Sequence, residues 1–399
     1  MKKAVHILFF IGTYLFLLSN WGCNKPEEVK IYVPPTYLSC YSFEENLILK
    51  NNSNAPIDYK IDCWIKVKHN LTIEPGTVIQ FEFGAGLKIT NGTILCNGTS
   101  ENRIILKSAR NLPGEWIGIV IDRNNNNPNS IHFTDIIDAG GTPEYSEDEL
   151  GSIVLLDSST LSLHNCTIKN GMQTGVNMSY EEIKLSNSHN TISNCLQPIR
   201  ILFSEITQLS NSNTFNNNHF NYIEVGANFV AGKKVAMLNH GIPYYFSNYN
   251  YNFYTNDVIY KIKNSGGLVI SPGVTIYFAR DVLLFASGTI LANGTSSNPI
   301  KFLGFEPQKG YWLGISMSSA RESFLNNVTI KDAGYSSILT SWYKTACAIY
   351  LSHGAELKLT NSSISGVNGN CAILRGTSYG SDNFTESNNN YNGLDLCKF

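Results

Sequence analysis

The chain has 399 residues, a formal net charge of −2 and only 15% charged side chains. Without a basic surplus to neutralise phosphates, this composition excludes a nucleic-acid binder. An apolar content of 43% excludes a disordered chain, and the length is enough for one elongated domain or two compact ones.

Residues 1–22 read as a targeting signal. Lys2 and Lys3 form a basic start, and Ile7–Leu18 is an apolar run too short for a membrane span. "SNWGC" ends in Gly22-Cys23 and resembles the lipobox of bacterial lipoproteins, with Asn20 where that motif usually has Leu. The resemblance implies a lipidated Cys23 and a tether over 23–37. Lys25, Glu27 and Glu28 resemble the short export signal of surface lipoproteins from Bacteroidota. The expected location is therefore the bacterial outer membrane, facing the exterior, with acyl chains as the anchor.

Eight further cysteines follow: Cys40, Cys63, Cys96, Cys166, Cys195, Cys347, Cys371 and Cys397. None forms a Cys-x-x-Cys pair, so no metal site is expected. Cys40/Cys63, Cys166/Cys195 and Cys347/Cys371 are 23, 29 and 24 residues apart and are candidate disulfides, with buried free thiols as the alternative.

The phrase "GTILCNGTSENRI" at Gly92–Ile104 returns as "GTILANGTSSNPI" at Gly288–Ile300, 196 residues later. Around it, "LTIEPGTVIQF" (Leu71–Phe81) matches "LVISPGVTIYF" (Leu268–Phe278), and "GEWIGIVI" (Gly114–Ile121) matches "GYWLGISM" (Gly310–Met317). A unit of about 100 residues or more has been copied: copy one over about 65–180, joining coils over 181–263, copy two over 264–399. Between the copies, "NCTIKN", "NTISNC" and "NTFNNN" start at Asn165, Asn190 and Asn213, 25 and 23 residues apart. Each precedes a short apolar alternation bounded by Asn, Gly or Pro, the pattern of strands between turns. A strand-rich period of this length predicts a solenoid in which Ile168, Ile192 and Phe215 form a column on successive rungs. Asparagines at equivalent turns are expected to stack as amide ladders.

These coils resemble right-handed parallel β-helix lipoproteins of Bacteroidota, from about Leu71 onward. The resemblance implies an all-β, single-stranded parallel β-helix over 38–399, with some 15 coils and a body roughly 70 Å long. Other residents of the fold are polysaccharide lyases and hydrolases, but fold alone assigns no activity.

Chemistry is sparse. A hydrolase of acidic glycans needs grouped aspartates, and a lyase needs a cationic base beside carboxylate-neutralising groups. Asp135 with Asp138, and Lys331 with Asp332, are the nearest approaches. Asp138 and Asp332 share the repeated "DAG", which marks them as turn residues. The scattered histidines, His164 among them, suit a surface or ladder role. Catalytic residues, cofactors, metals and nucleotides are not expected. Two features suggest binding. Equivalent loops follow each "DAG", one carrying Glu144, Glu147 and Asp148, the other Trp342, Tyr343 and Lys344. In "PYYFSNYNYNFYTND", Tyr249 and Tyr251 share one face of a strand, suited either to a sugar or to the core. The expectation is a surface-anchored, non-catalytic display protein for a polysaccharide or surface protein. A lyase or hydrolase of acidic glycans and a purely structural spacer are the alternatives.

Overall fold

Alternating runs such as Thr167–Lys169 and Thr191–Ser193 form strands of three to five residues, with one side chain in two turned inward. The computed structural model describes residues 33–122, 128–142, 150–250, 258–318, 321–334, 346–352, 354–376 and 383–398. Every strand pairing there is parallel, and each strand pairs with strands one coil before and after it, which defines a parallel β-helix solenoid. Ile136, Ile168, Ile192 and Phe215 are successive partners in one column and are all buried. The core is the tube of such columns.

The described strands form sheets of eight, twelve, six, seven and six. Only the twelve-stranded sheet, the spine, runs through both copies. Its eleven inter-strand steps span about 53 Å; strands Thr36–Leu38 and Asp395–Lys398 add one coil beyond each end, for a body of about 62 Å against the expected 70 Å.

Parallel rungs leave the corners to be satisfied by side chains, and asparagine does this. Buried Asn190 accepts from the Cys166 amide (2.9 Å) and donates to the Leu163 carbonyl (2.8 Å) and Asn213 Oδ1 (3.0 Å). Asn218 repeats the pattern one corner on, accepting from the Cys195 amide at 3.0 Å and donating to the Ile192 carbonyl at 3.2 Å. Others, including Asn165, Asn170 and Asn194, hold left-handed corners at φ 57°, 58° and 54°, a conformation asparagine tolerates better than most residues.

The copies repeat in atomic detail. Phe81 stacks on Trp116 at 4.2 Å between ring centroids, and Phe278 on Trp312 at 3.9 Å. The two buried indoles donate to the carbonyls of Ile137 (2.8 Å) and Lys331 (2.9 Å). Asp138 and Asp332 turn the "DAG" corners at φ 63° and 60°. Yet the copies are out of step around the axis. Val78–Phe81 lies in the eight-stranded sheet, while its equivalent Thr275–Phe278 lies in the spine. Gly86–Ile89 lies in the spine, while its equivalent Val282–Ala286 lies in the seven-stranded sheet.

The change occurs at one coil. After strand Lys184–Ser188 ends the first six-stranded sheet, a 3-10 helix, Phe203–Gln208, takes the next rung. The Gln208 amide stands in for a missing peptide: its Oε1 accepts from the Leu185 N–H (2.6 Å) and its Nε2 donates to the Ile183 carbonyl (2.8 Å), which closes the sheet edge. New sheets then start at Phe229–Val230 and Lys234–Met237.

The cysteine pattern differs in part from the candidate pairs. Cys40 and Cys63 are bonded, but Cys371 is bonded to Cys397, not to Cys347. Cys166, Cys195, Cys347 and Cys96 are free and buried. Cys166 precedes strand Thr167–Lys169 whereas Cys195 follows Thr191–Ser193, so the two occupy opposite corners of one face and cannot meet. Cys347 stacks in register on Cys371, but Cys371 is taken by the last coil. Both disulfides thus lie near the ends, where a coil has a neighbour on one side only.

Candidate functional site

An outer ledge of the spine is the most developed surface among the described residues. Alternation along strands Ile223–Ala227, Tyr244–Asn250, Thr275–Phe278 and Ile300–Gly304 sends one set of residues inward. Tyr244, Phe246, Phe278 and Phe302 are fully buried. The intervening column faces outward: Arg200, Glu224, Tyr245, Tyr277, Leu303 and Lys331 on six successive strands.

Rings from the corners complete the ledge. Tyr222 lies 4.8 Å from Tyr245 and 5.6 Å from Phe220, on which it stacks. Phe305 lies 4.7 Å from Tyr245 and 6.0 Å from Tyr277. Phe220 and Phe305 keep 39% and 41% exposure, and the three tyrosines are half-buried. Five rings therefore form one surface, bordered by a charged pair. Arg200 donates to Glu224 Oε2 at 2.8 Å, and Gln197 Nε2 donates to the same oxygen at 2.5 Å. Burial, with the Glu224 charge added, pushes the Tyr222 hydroxyl up to about 12. Burial and then the neighbouring Tyr222 raise the Tyr245 hydroxyl too. Both remain protonated donors at neutral pH. Such an arrangement can take the C–H face of a sugar on the rings and its hydroxyls on the tyrosines and Arg200.

The segments that carry the expected binding residues each connect to one strand of this sheet. The segment with Glu144, Glu147 and Asp148 joins a strand of the eight-stranded sheet to spine strand Ile153–Leu155. The segment with Trp342, Tyr343 and Lys344 leaves spine strand Val328–Lys331 for the seven-stranded sheet. One thus enters the spine and the other leaves it, at opposite corners, seven strands or about 34 Å apart along the axis. All six of those residues lie outside the described residues, as do Tyr251, Cys23 and the Tyr249 side chain.

The residues closest to catalytic chemistry have scaffold partners. Arg103 donates to Asp135 from Nη2 (2.6 Å) and Nε (3.0 Å), and from Nη1 to the Asn165 carbonyl (3.0 Å). Asp138 accepts from Ser108 (3.0 Å) and Asn170 (3.2 Å). His132 and His164, on neighbouring rungs, meet edge to face at 5.2 Å beside serine hydroxyls. Among the described residues no group of three His, Cys, Asp or Glu side chains is placed to hold a metal. No family model, curated protein or solved structure matches the chain.

Sequence reading missed Phe220, Tyr222, Tyr245, Tyr277 and Phe305 as a set. Consecutive rings across the rungs are 23 (Tyr222 to Tyr245) and 32 (Tyr245 to Tyr277) residues apart. Carrying the rung register forward from Arg200 through Glu224 is the signal that would have aligned Tyr245 with Tyr277.

Proposed function

We propose that this chain is a surface-anchored, non-catalytic β-helix lipoprotein of the Bacteroidota type that binds a glycan on its spine ledge. The single observation behind this reading is the run of five partly exposed rings bordered by Arg200–Glu224. Monomeric proteins rarely leave such a surface without a use. Cys23 carries the lipid, the segment to about residue 37 is the tether, and the solenoid holds the ledge away from the membrane.

The test is a glycan array on the tether-free chain, run together with an assay for unsaturated uronate products. Binding without product is expected. Phe305→Ala and Tyr245→Ala should each weaken the bound glycan at least tenfold, about 1.4 kcal/mol. Product release would replace this reading by a lyase. Silence in both assays would leave the structural spacer.

A further inference from the structure

The last coil is held by one disulfide, and a third cysteine stands beside that bond. Strands Cys347–Leu351, Cys371–Arg375 and Asp395–Lys398 are the last three of the seven-stranded sheet, with Cys371–Arg375 in the middle. Cys371 is bonded to Cys397 on the strand after it and pairs in register with Cys347 on the strand before it. The three cysteines pack together with Tyr350 and Leu374 in a cluster separate from the main core. The Cys347 thiol meets the backbone of Leu374, so it points towards the coil that carries Cys371.

This order gives Cys371 a thiol on one side and its disulfide partner on the other. Displacement at sulfur needs that arrangement, because the attacking thiolate approaches opposite the sulfur that leaves. The two alternative crosslinks close segments of similar length, 24 residues for Cys347–Cys371 (371 − 347) and 26 for Cys371–Cys397. Loop closure varies only with the logarithm of length, so chain entropy does not choose between them. The strands differ in support. Cys347–Leu351 is paired on both sides, whereas Asp395–Lys398 is paired on one and is mostly exposed. Asn383–Ser387 is likewise a mostly exposed end strand. Transfer of the bond to Cys347 keeps a crosslink in the body and leaves the last coil with backbone pairing alone.

We propose that the last coil is a latch with an exchangeable disulfide: Cys347 displaces Cys397 from Cys371 and so releases the coil. The Cys347 thiolate attacks Cys371 Sγ, the Cys347–Cys371 bond forms, and the Cys371–Cys397 bond breaks. The electron pair leaves on Cys397 Sγ, which takes up a proton in place of the one Cys347 lost. The number of disulfides is unchanged, and no oxidant or reductant is consumed. Burial pushes the Cys347 thiol up to about 12, so the attacking thiolate is scarce at neutral pH and the latch opens slowly. Release uncovers the edges of strands Cys371–Arg375 and Glu356–Thr360, which then present unpaired backbone to another strand. The latch lies on a different sheet from the ledge, so the two stand or fail separately.

The test is disulfide mapping of the full chain, alkylated with iodoacetamide and digested without reductant. As isolated, the protein should hold Cys371–Cys397, with Cys347 unlabelled. Hours in mildly alkaline buffer without added thiol should convert it. A Cys347–Cys371 peptide should appear, Cys397 should become alkylated to the same extent, and the number of disulfides should stay constant. Hydrogen exchange should then rise at least tenfold over 383–398, with little change over 300–330. Cys347→Ser should abolish the conversion and keep Cys397 unlabelled. Cys397→Ser should hold a Cys347–Cys371 bond from the outset and show the fast-exchanging end coil. The latch is refuted if the parent keeps Cys371–Cys397 throughout, if Cys397 is released equally in Cys347→Ser, or if Cys397→Ser leaves Cys347 and Cys371 both as thiols.

Discussion

Replacing Asn190 by Ala removes one amide from the buried ladder and should be costly out of proportion to its size. Asn190 Oδ1 takes the Cys166 N–H at 2.9 Å, and its Nδ2 serves the Leu163 carbonyl at 2.8 Å and Asn213 at 3.0 Å. Asn190 itself is 2% exposed, so water cannot readily replace it. An orphaned buried backbone group costs about 1–3 kcal/mol, and two are created here. Allowing for relaxation, the loss should be about 2–4 kcal/mol. Coils in a solenoid are coupled mainly to their neighbours, so this loss should be local. Hydrogen exchange followed by mass spectrometry should show protection falling about 30- to 700-fold in the peptides covering 160–193, with little change over 300–360. Asn97→Ala is the control: Asn97 is exposed and accepts only from Ser130 at 2.9 Å, so it should stay within about 0.5 kcal/mol of the parent. An Asn190→Ala loss below 1 kcal/mol, or one spread evenly along the chain, would refute the role assigned to the ladder.

Two further outcomes follow from buried titratable groups. His240 packs against Phe215 and Tyr244, and neither ring nitrogen has a hydrogen-bond partner among the described residues. Burial lowers its pKa from 6.5 to about 4. Because the folded value lies below the unfolded one, this histidine favours the fold fully above pH 6.5, and that contribution fades as the pH falls towards 4, by on the order of 2–3 kcal/mol after allowing for partial exposure. The melting temperature should drop over that window, and His240→Leu should flatten the profile; an unchanged slope in the variant would assign the acid sensitivity elsewhere. Burial also pushes the thiols of Cys166 and Cys347 up to about 12 and that of Cys195 up to about 11. These three and Cys96 should therefore resist alkylation in the native protein and all label once it is unfolded without reductant. A Cys347–Cys371 crosslinked peptide in the digest would contradict the end-coil pairing.

Much of the architecture could be read from particular residues. The column Ile168–Ile192–Phe215 followed from an asparagine period, because each apolar alternation has to return to the same place on the next coil. The "DAG" aspartates were readable as turn residues because the copied scaffold keeps them, and both take left-handed backbone. The inner and outer faces of "PYYF" stayed open at that stage. The structure buries Tyr244 and Phe246 and turns Tyr245 outward. The Cys371–Cys397 bond was not legible: spacing favoured Cys347, one coil away on one side, over Cys397, one coil away on the other.

By itself the sequence determined the strand type, the coil length, the duplication and the corner chemistry, because these depend on contacts within a coil and on the conformations open to Asn and Gly. Tertiary structure alone decided how the copies meet. A 3-10 helix in place of one strand puts equivalent strands of the two copies into different sheets. That offset decides which residues share the spine's outer face, and it brings together rings from residues 220 to 305 that no local pattern connects. The physical reason is that register between rungs accumulates along the whole stack, so one irregular coil resets every face beyond it.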